Sequence, residues 1–180
     1  MHGLVSLLDP QHYRLVEALW HELERDCGLT GVKITPYPHF SWQVATGYPE
    51  PETEEAVRAI AGQTQPFTVR TDGLGIFSGP TPVVYIPLIR NPKVNRLHTK
   101  LWKQFQASAK GLTPYYDPQK WMPHITLIFG DESSTALMCG LELLAFRSFD
   151  WEIEVNNLSF VSQPGDQVGT LKYRYDFLLR

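Results

Sequence analysis

The sequence predicts an α+β domain built from two similar halves, and three observations predict it. Strand-like runs and helical periodicities alternate along all 180 residues. The order is strand–helix–strand–helix–strand–strand, then helix–strand–helix–strands. A short pattern, Pro-His-apolar-hydroxyl, occurs early in PYPHFSWQVA and again late in KWMPHITLIFG. No low-complexity tract or linker separates the two occurrences, so both halves are expected in one domain spanning residues 1–180.

Each element has a local reason. The apolar run Leu4 to Leu8 reads as a strand, and Asp9-Pro10 then fits a helix cap with proline in the first turn. Leu15, Val16, Leu19, Trp20 and Leu23 recur at helical spacing through Gln11–Cys27, with Gly28 as the stop. The segment His39 to Ala45 alternates like a strand. Pro49 and Pro51 precede a short helix, Thr53 to Ala61. Phe67 to Phe77 and Val83 to Ile89 are β-branched and aromatic, and are expected to pair antiparallel. Pro92 to Lys110 carries an apolar stripe, Val94, Leu97, Leu101 and Phe105, with Lys93, Arg96, Lys100 and Lys103 along another face. A loop through Pro114, Tyr115, Tyr116 and Pro118 leads to the second histidine strand. A helix at about Ser134–Leu144 and strands at 149–155, 158–163 and 170–178 complete the chain.

Composition narrows the function. With 43% hydrophobic and 12% aromatic residues the chain is neither disordered nor fibrous. A net charge of −3 argues against a protein that coats duplex DNA, though not against an anion held in a locally positive cleft. No run approaches the ~20 apolar residues of a membrane span. The start, MHGLVSLLDP, lacks a basic leader region and reads as a first strand, so a cytoplasmic location is expected. Cys27 and Cys139 are far apart and match no metal spacing, and are expected as buried reduced thiols.

On a strand, residues i and i+2 share a face. His39 and Ser41 therefore project together, with Phe40 and Trp42 opposite. His124 and Thr126 likewise share a face, while Ile125, Leu127 and Phe129 can enter the core. Were the two strands adjacent, two imidazoles and two hydroxyls would line one cleft. Such a quartet suits phosphoryl chemistry without a metal. One neutral imidazole takes a proton, one imidazolium gives one, and the hydroxyls hold the non-bridging oxygens. Taken singly, a strand histidine beside a threonine is more often an ordinary polar residue; the repeat is what raises the chemical reading. Two histidines without a partnered carboxylate or cysteine make a metal site a poor alternative.

Paired His-apolar-Thr/Ser triplets, one in each half of a chain of this length, resemble the 2H phosphoesterase superfamily, which includes RNA 2′,3′-cyclic phosphodiesterases often described as 2′-5′ RNA ligases. WMPHITLIFG is similar to that family's second motif. YPHFSWQVA is a looser match, with serine in place of the commoner threonine and Trp42-Gln43 in place of a plainer aliphatic stretch. GLGIFSGPTPVVYIPL is similar to the family's strand pair between the motifs, and the loop with Tyr115 and Trp121 is similar too.

The resemblance implies a bilobal, pseudo-symmetric fold: two mainly antiparallel sheets, helices outside, and a central groove where the histidines meet. It implies metal-independent opening of 2′,3′-cyclic phosphates of nucleotides or RNA ends, with His39 and His124 as the acid/base pair and no cofactor. Ser41 and Thr126 become the phosphate-holding hydroxyls. The alternatives are a 2′-5′ RNA ligase and a binding module of the same fold without turnover. Ligase members often carry an arginine shortly after the second motif, where Phe129-Gly130-Asp131 stands here. Phe77, Tyr85 and Trp121 are candidates for stacking on a base, with core packing the commoner role for Phe77 and an even balance for Tyr85. The expected partner is a nucleotide or short RNA end, with no duplex DNA and no membrane, bound by a monomer. The basic face of the 92–110 helix reads as a solvated surface that could also steer a phosphate backbone. Lys172 and Arg174 alternate with Tyr173 and Tyr175, which makes one face of the last strand basic.

Overall fold

Residues 1–130 and 133–178 are described by a computed structural model of the chain. The strands are β1 (His2–Leu7), β2 (His39–Ala45), β3 (Phe67–Arg70), β4 (Gly75–Phe77), β5 (Val83–Pro87), β6 (His124–Ile128), β7 (Glu152–Val155), β8 (Asn157–Ser162) and β9 (Thr170–Asp176). The helices are α1 (Pro10–Cys27), α2 (Glu52–Ala61), α3 (Pro92–Phe105) and α4 (Ser134–Ala145). Seven strands form one antiparallel sheet in the order β4-β5-β6-β2-β1-β8-β9, and β3 pairs with β7 in a second, two-stranded sheet. The α+β architecture with helices outside is therefore as expected.

Local chemistry sets the helix ends. The Asp9 carboxylate accepts from the backbone N–H groups of Gln11 and His12, Pro10 occupies the first turn, and Gly28 closes α1 at φ 71°. Asn91 caps α3 in the same way, accepting from Lys93 and Val94 ahead of an early proline.

Two expected elements differ. The predicted strand 67–77 is two strands in different sheets: β3 pairs with β7 and β4 with β5. Between them Thr71 is buried with its hydroxyl on the Phe149 carbonyl, and Gly73 turns the chain at φ 64°. The helix expected to reach Lys110 ends at Phe105, because the chain returns to the segment just beyond β2, where Lys110 pairs with Gly47 in an isolated bridge. Cys27 and Cys139, expected reduced, are bonded to each other with Cα atoms 5.7 Å apart, joining α1 to α4.

The sheet divides at its centre into two lobes, β2-β1-β8-β9 and β6-β5-β4. Helix α2 lies on β8 and β9. The other helices are exchanged: α1, which follows β1, packs on β6 and α4, whereas α3, which follows β5, packs on β2. One large core of leucine, isoleucine, valine and aromatic side chains runs beneath all of them.

Candidate active site

Strands β2 and β6 touch at one register pair, Phe40 opposite Ile125. Continuing that antiparallel register by one residue each way sets His39 opposite Thr126 and Ser41 opposite His124. Phe40 and Ile125 are buried, while His39, Ser41, His124 and Thr126 are all half-buried on the other face. The two triplets thus meet, each histidine across from the other strand's hydroxyl.

The correspondence extends further. In β2, Leu4 pairs with Gln43 but Val5 with Ser41, so Trp42 is an extra residue, a β-bulge. In β6, Val84 pairs with Ile128 but Tyr85 with Thr126, so Leu127 is the extra residue. Both bulges lie three residues after the histidine. They reverse the alternation, so Gln43 and Ile128 are buried although strict period two points them outward. Phe129, expected to enter the core, is 44% exposed for the same reason.

Both imidazoles are held alike. His39 Nδ1 donates to the Tyr37 carbonyl, and His124 Nδ1 donates to the Met122 carbonyl at 2.7 Å. A carbonyl only accepts, so Nδ1 carries the proton and Nε2 is left to act as base when bare and as acid when protonated. Burial lowers both pKa values from the ordinary histidine range, and for His39 the charge of His124 lowers it further. The backbone hydrogen bond opposes the shift in each case.

Beyond their single contact the two strands splay, and other groups satisfy the carbonyls left unpaired. In β2, Trp121 Nε1 donates to Ser41 O at 3.0 Å, His98 Nε2 to Trp42 O at 3.1 Å and the Thr113 N–H to Val44 O at 2.9 Å. In β6, Trp20 Nε1 donates to Thr126 O at 3.0 Å. Each hydroxyl residue is therefore fixed by an indole. Arg90 braces the loop ahead of β6 through the carbonyls of Pro118 and Trp121, both at 3.1 Å. The Tyr116 phenol lies in hydrogen-bonding reach of Ser41, and burial keeps it protonated.

The three aromatic candidates separate. Phe77 is half-buried, its ring edge-on to His124 with centroids 5.0 Å apart. Tyr85 is 4% exposed and lies beneath Phe77, stacked at 4.1 Å and spread over Gly75, where any Cβ would come within 2.4 Å of its ring. Trp121 is 2% exposed, stacked on His98 at 3.7 Å and on Trp42 at 5.4 Å. Trp121 and Tyr85 therefore have no open face for a base. They support the site from below, Tyr85 with its ring also 5.0 Å from that of His124, and of the two rings beside His124 it is Phe77 that has surface to offer.

Trp20, His98, Arg90 and Tyr116 were not singled out by sequence. Trp20 and His98 lie in helical patterns that read as core or boundary, and no local spacing marks them as donors to a strand distant in sequence. Asp131, where ligase members often have arginine nearby, lies outside the described residues. Among the described residues, no group of three or more His, Cys, Asp or Glu side chains could hold a metal ion, and no helix is long and apolar enough to cross a membrane.

The model of the 2′-5′ RNA ligase superfamily matches residues 9–167, which include both triplets and every strand between them. The chain belongs to that superfamily. It is the 2H phosphoesterase group that the triplets resemble. Solved structures with the same fold include a protein of Thermus thermophilus, 18% identical over 98% of each chain, TM-score 0.64. A phosphoesterase is 16% identical over 99% of this chain and 98% of its own, TM-score 0.60. Escherichia coli LigT, solved in complex with 3′-AMP, is 16% identical over 99% of both chains, TM-score 0.58. No curated protein matches the sequence. At these identities the structural likenesses speak for the superfamily's fold, and the chemistry rests on this chain's own groove.

Proposed function

We propose that this chain is a phosphodiesterase that opens 2′,3′-cyclic phosphates of nucleotides or RNA ends by two-histidine acid/base catalysis. The observation that carries this reading is the matched restraint of the two imidazoles. Each has Nδ1 on the carbonyl two residues back, which leaves Nε2 to exchange the proton, and the strand register sets each histidine opposite the other strand's hydroxyl residue.

In the proposed reaction the bare Nε2 of one histidine takes a proton from water as the water oxygen attacks phosphorus. The bond from phosphorus to one ribose oxygen breaks, and the imidazolium of the other histidine protonates that oxygen. The product is a 2′- or 3′-phosphomonoester. Ser41 and Thr126 donate hydrogen bonds to the non-bridging oxygens as charge builds on them. Phe77 stacks on the base. With a ribose 5′-hydroxyl in place of water, the same proton transfers would form a 2′-5′ linkage, the activity named for the superfamily.

The test is a panel of 2′,3′-cyclic nucleotides and RNAs ending in cyclic phosphate, assayed in chelator with product isomers resolved. The expected result is a phosphomonoester, with His39→Ala and His124→Ala each losing roughly a hundredfold or more in rate. A linked RNA product would favour ligation. Saturable binding without product would leave a binding module.

A further inference from the structure

Helix α3 contains four cations, Lys93, Arg96, Lys100 and Lys103, and no acidic residue. All four are exposed and fall at spacings of three and four, so they form one stripe along the helix. A merely solvated helix face commonly interleaves carboxylates at such spacings. Here, among the described residues, none of the four lies within ion-pairing distance of an acid. The nearest polar partner is an amide, Lys100 Nζ on Gln63 Oε1 at 3.3 Å.

The stripe also borders a hollow. Lys93, Arg96 and Lys100 form one wall of a recess of about 330 Å³, and Gln63, Thr64 and Gln65 line the other. No carboxylate lines it. In a chain of net charge −3, with 19 acidic and 16 basic residues, this is a local concentration of unneutralised positive charge. Helix α3 covers the buried Trp42 face of β2, opposite His39 and Ser41, so a substrate strand leaving the groove reaches the stripe round the end of β5. Strand β5 ends at Pro87, the cross-strand partner of His124, and α3 begins five residues later.

We propose that this face of α3 binds the phosphodiester backbone of a single-stranded RNA whose end enters the histidine groove. The proposal rests on the cyclic-phosphate reading and deepens it. The preferred substrate is an oligonucleotide long enough to reach from groove to helix, with two or three phosphates lying along Lys93, Arg96 and Lys100. A cyclic mononucleotide fills the groove alone and does not reach α3.

The test compares the whole protein with its Lys93→Gln/Arg96→Gln/Lys100→Gln variant, in two measurements. The first is binding of a 12-nucleotide RNA with a 3′-hydroxyl across a salt series. The second is turnover of 2′,3′-cyclic AMP and of the same 12-mer ending in a cyclic phosphate. The expected result is at least tenfold weaker RNA binding by the variant, with a log–log salt slope shallower by about 2, since each single-strand phosphate contact contributes about 0.7. The Michaelis constant for the 12-mer rises in parallel while cyclic AMP turnover stays at the wild-type level. Equal binding by variant and wild type overturns the proposal, as does tighter binding of poly-glutamate than of RNA at equal charge, which would point to an acidic protein. Should the wild type turn over no cyclic phosphate, the groove reading fails, and the binding measurement still decides the α3 site.

Discussion

The indole nitrogen of Trp121 donates to the backbone carbonyl of Ser41, across 80 residues of sequence, at 3.0 Å. The residue just ahead of one triplet thus holds the other triplet in place. Trp121→Phe keeps most of the stack on His98 and Trp42 but leaves that carbonyl unpaired. The expected cost is about 1–3 kcal/mol of stability. We also expect a kcat loss of roughly tenfold with little change in KM, because the hydroxyl of Ser41 shifts relative to the phosphate. Denaturant unfolding and steady-state kinetics check both. An unchanged kcat would mean that the Trp121 bond does not govern the position of Ser41.

The two lowered histidine pKa values set the pH profile. One imidazole must be bare and the other charged, so the rate follows a bell. Burial favours the neutral form of both, and repulsion from His124 adds to this at His39. The charged partner is therefore the scarce one near neutrality, and the maximum of kcat/KM is expected on the acid side of about 6.5, the ordinary histidine value. A profile flat between pH 5 and 9 would count against the pair.

Phe77 and Tyr85 separate binding from support. Phe77→Ala is expected to raise KM for cyclic nucleotides about tenfold, within the 1–3 kcal/mol of a base–aromatic stack, with stability little changed. Tyr85→Ala removes a buried ring and is expected to cost roughly 3 kcal/mol. If Phe77→Ala left KM untouched, the base would have to lie elsewhere.

His98 links stability to acid. Burial lowers its pKa to about 4, and its ring is sandwiched against Trp121 with Nε2 on Trp42 O. As the pH falls below about 6.5 the unfolded chain takes up this proton before the folded one does, so stability drops between about 6.5 and 4. The loss is roughly 1–3 kcal/mol. In His98→Gln that part of the pH dependence should disappear, as read by unfolding midpoints from pH 4 to 8. An unchanged dependence would assign the acid sensitivity to other groups.

Much of this arrangement was legible in the sequence where the signal is local. Strand β2 was bounded correctly at His39 and Ala45, and Asp9-Pro10 and Gly28 marked the ends of α1 through capping and left-handed geometry that belong to those residues alone. Features that depend on distant partners were not legible. Nothing in Phe67–Phe77 says that its two ends pair with different strands. Period two carried the inference to Ser41 and Thr126 and failed one step later, at bulges that only the register of β1 and β5 exposes. Trp121 illustrates the same limit. Its type suggested a stacking platform, but burial against His98 and Trp42 makes it a brace. The pairing of Cys27 with Cys139 depends on α1 crossing to the other lobe, which no spacing encodes.

That crossing has a further consequence. A fragment cut between β5 and α3 would contain β2 without the helix that covers Trp42, and the remaining fragment would contain β6 without the helix that supplies Trp20. Neither piece could close its own interior, although each would carry one histidine and one hydroxyl. The halves are therefore obligate complements, and mixing the two separated pieces is the setting in which they would recover a shape.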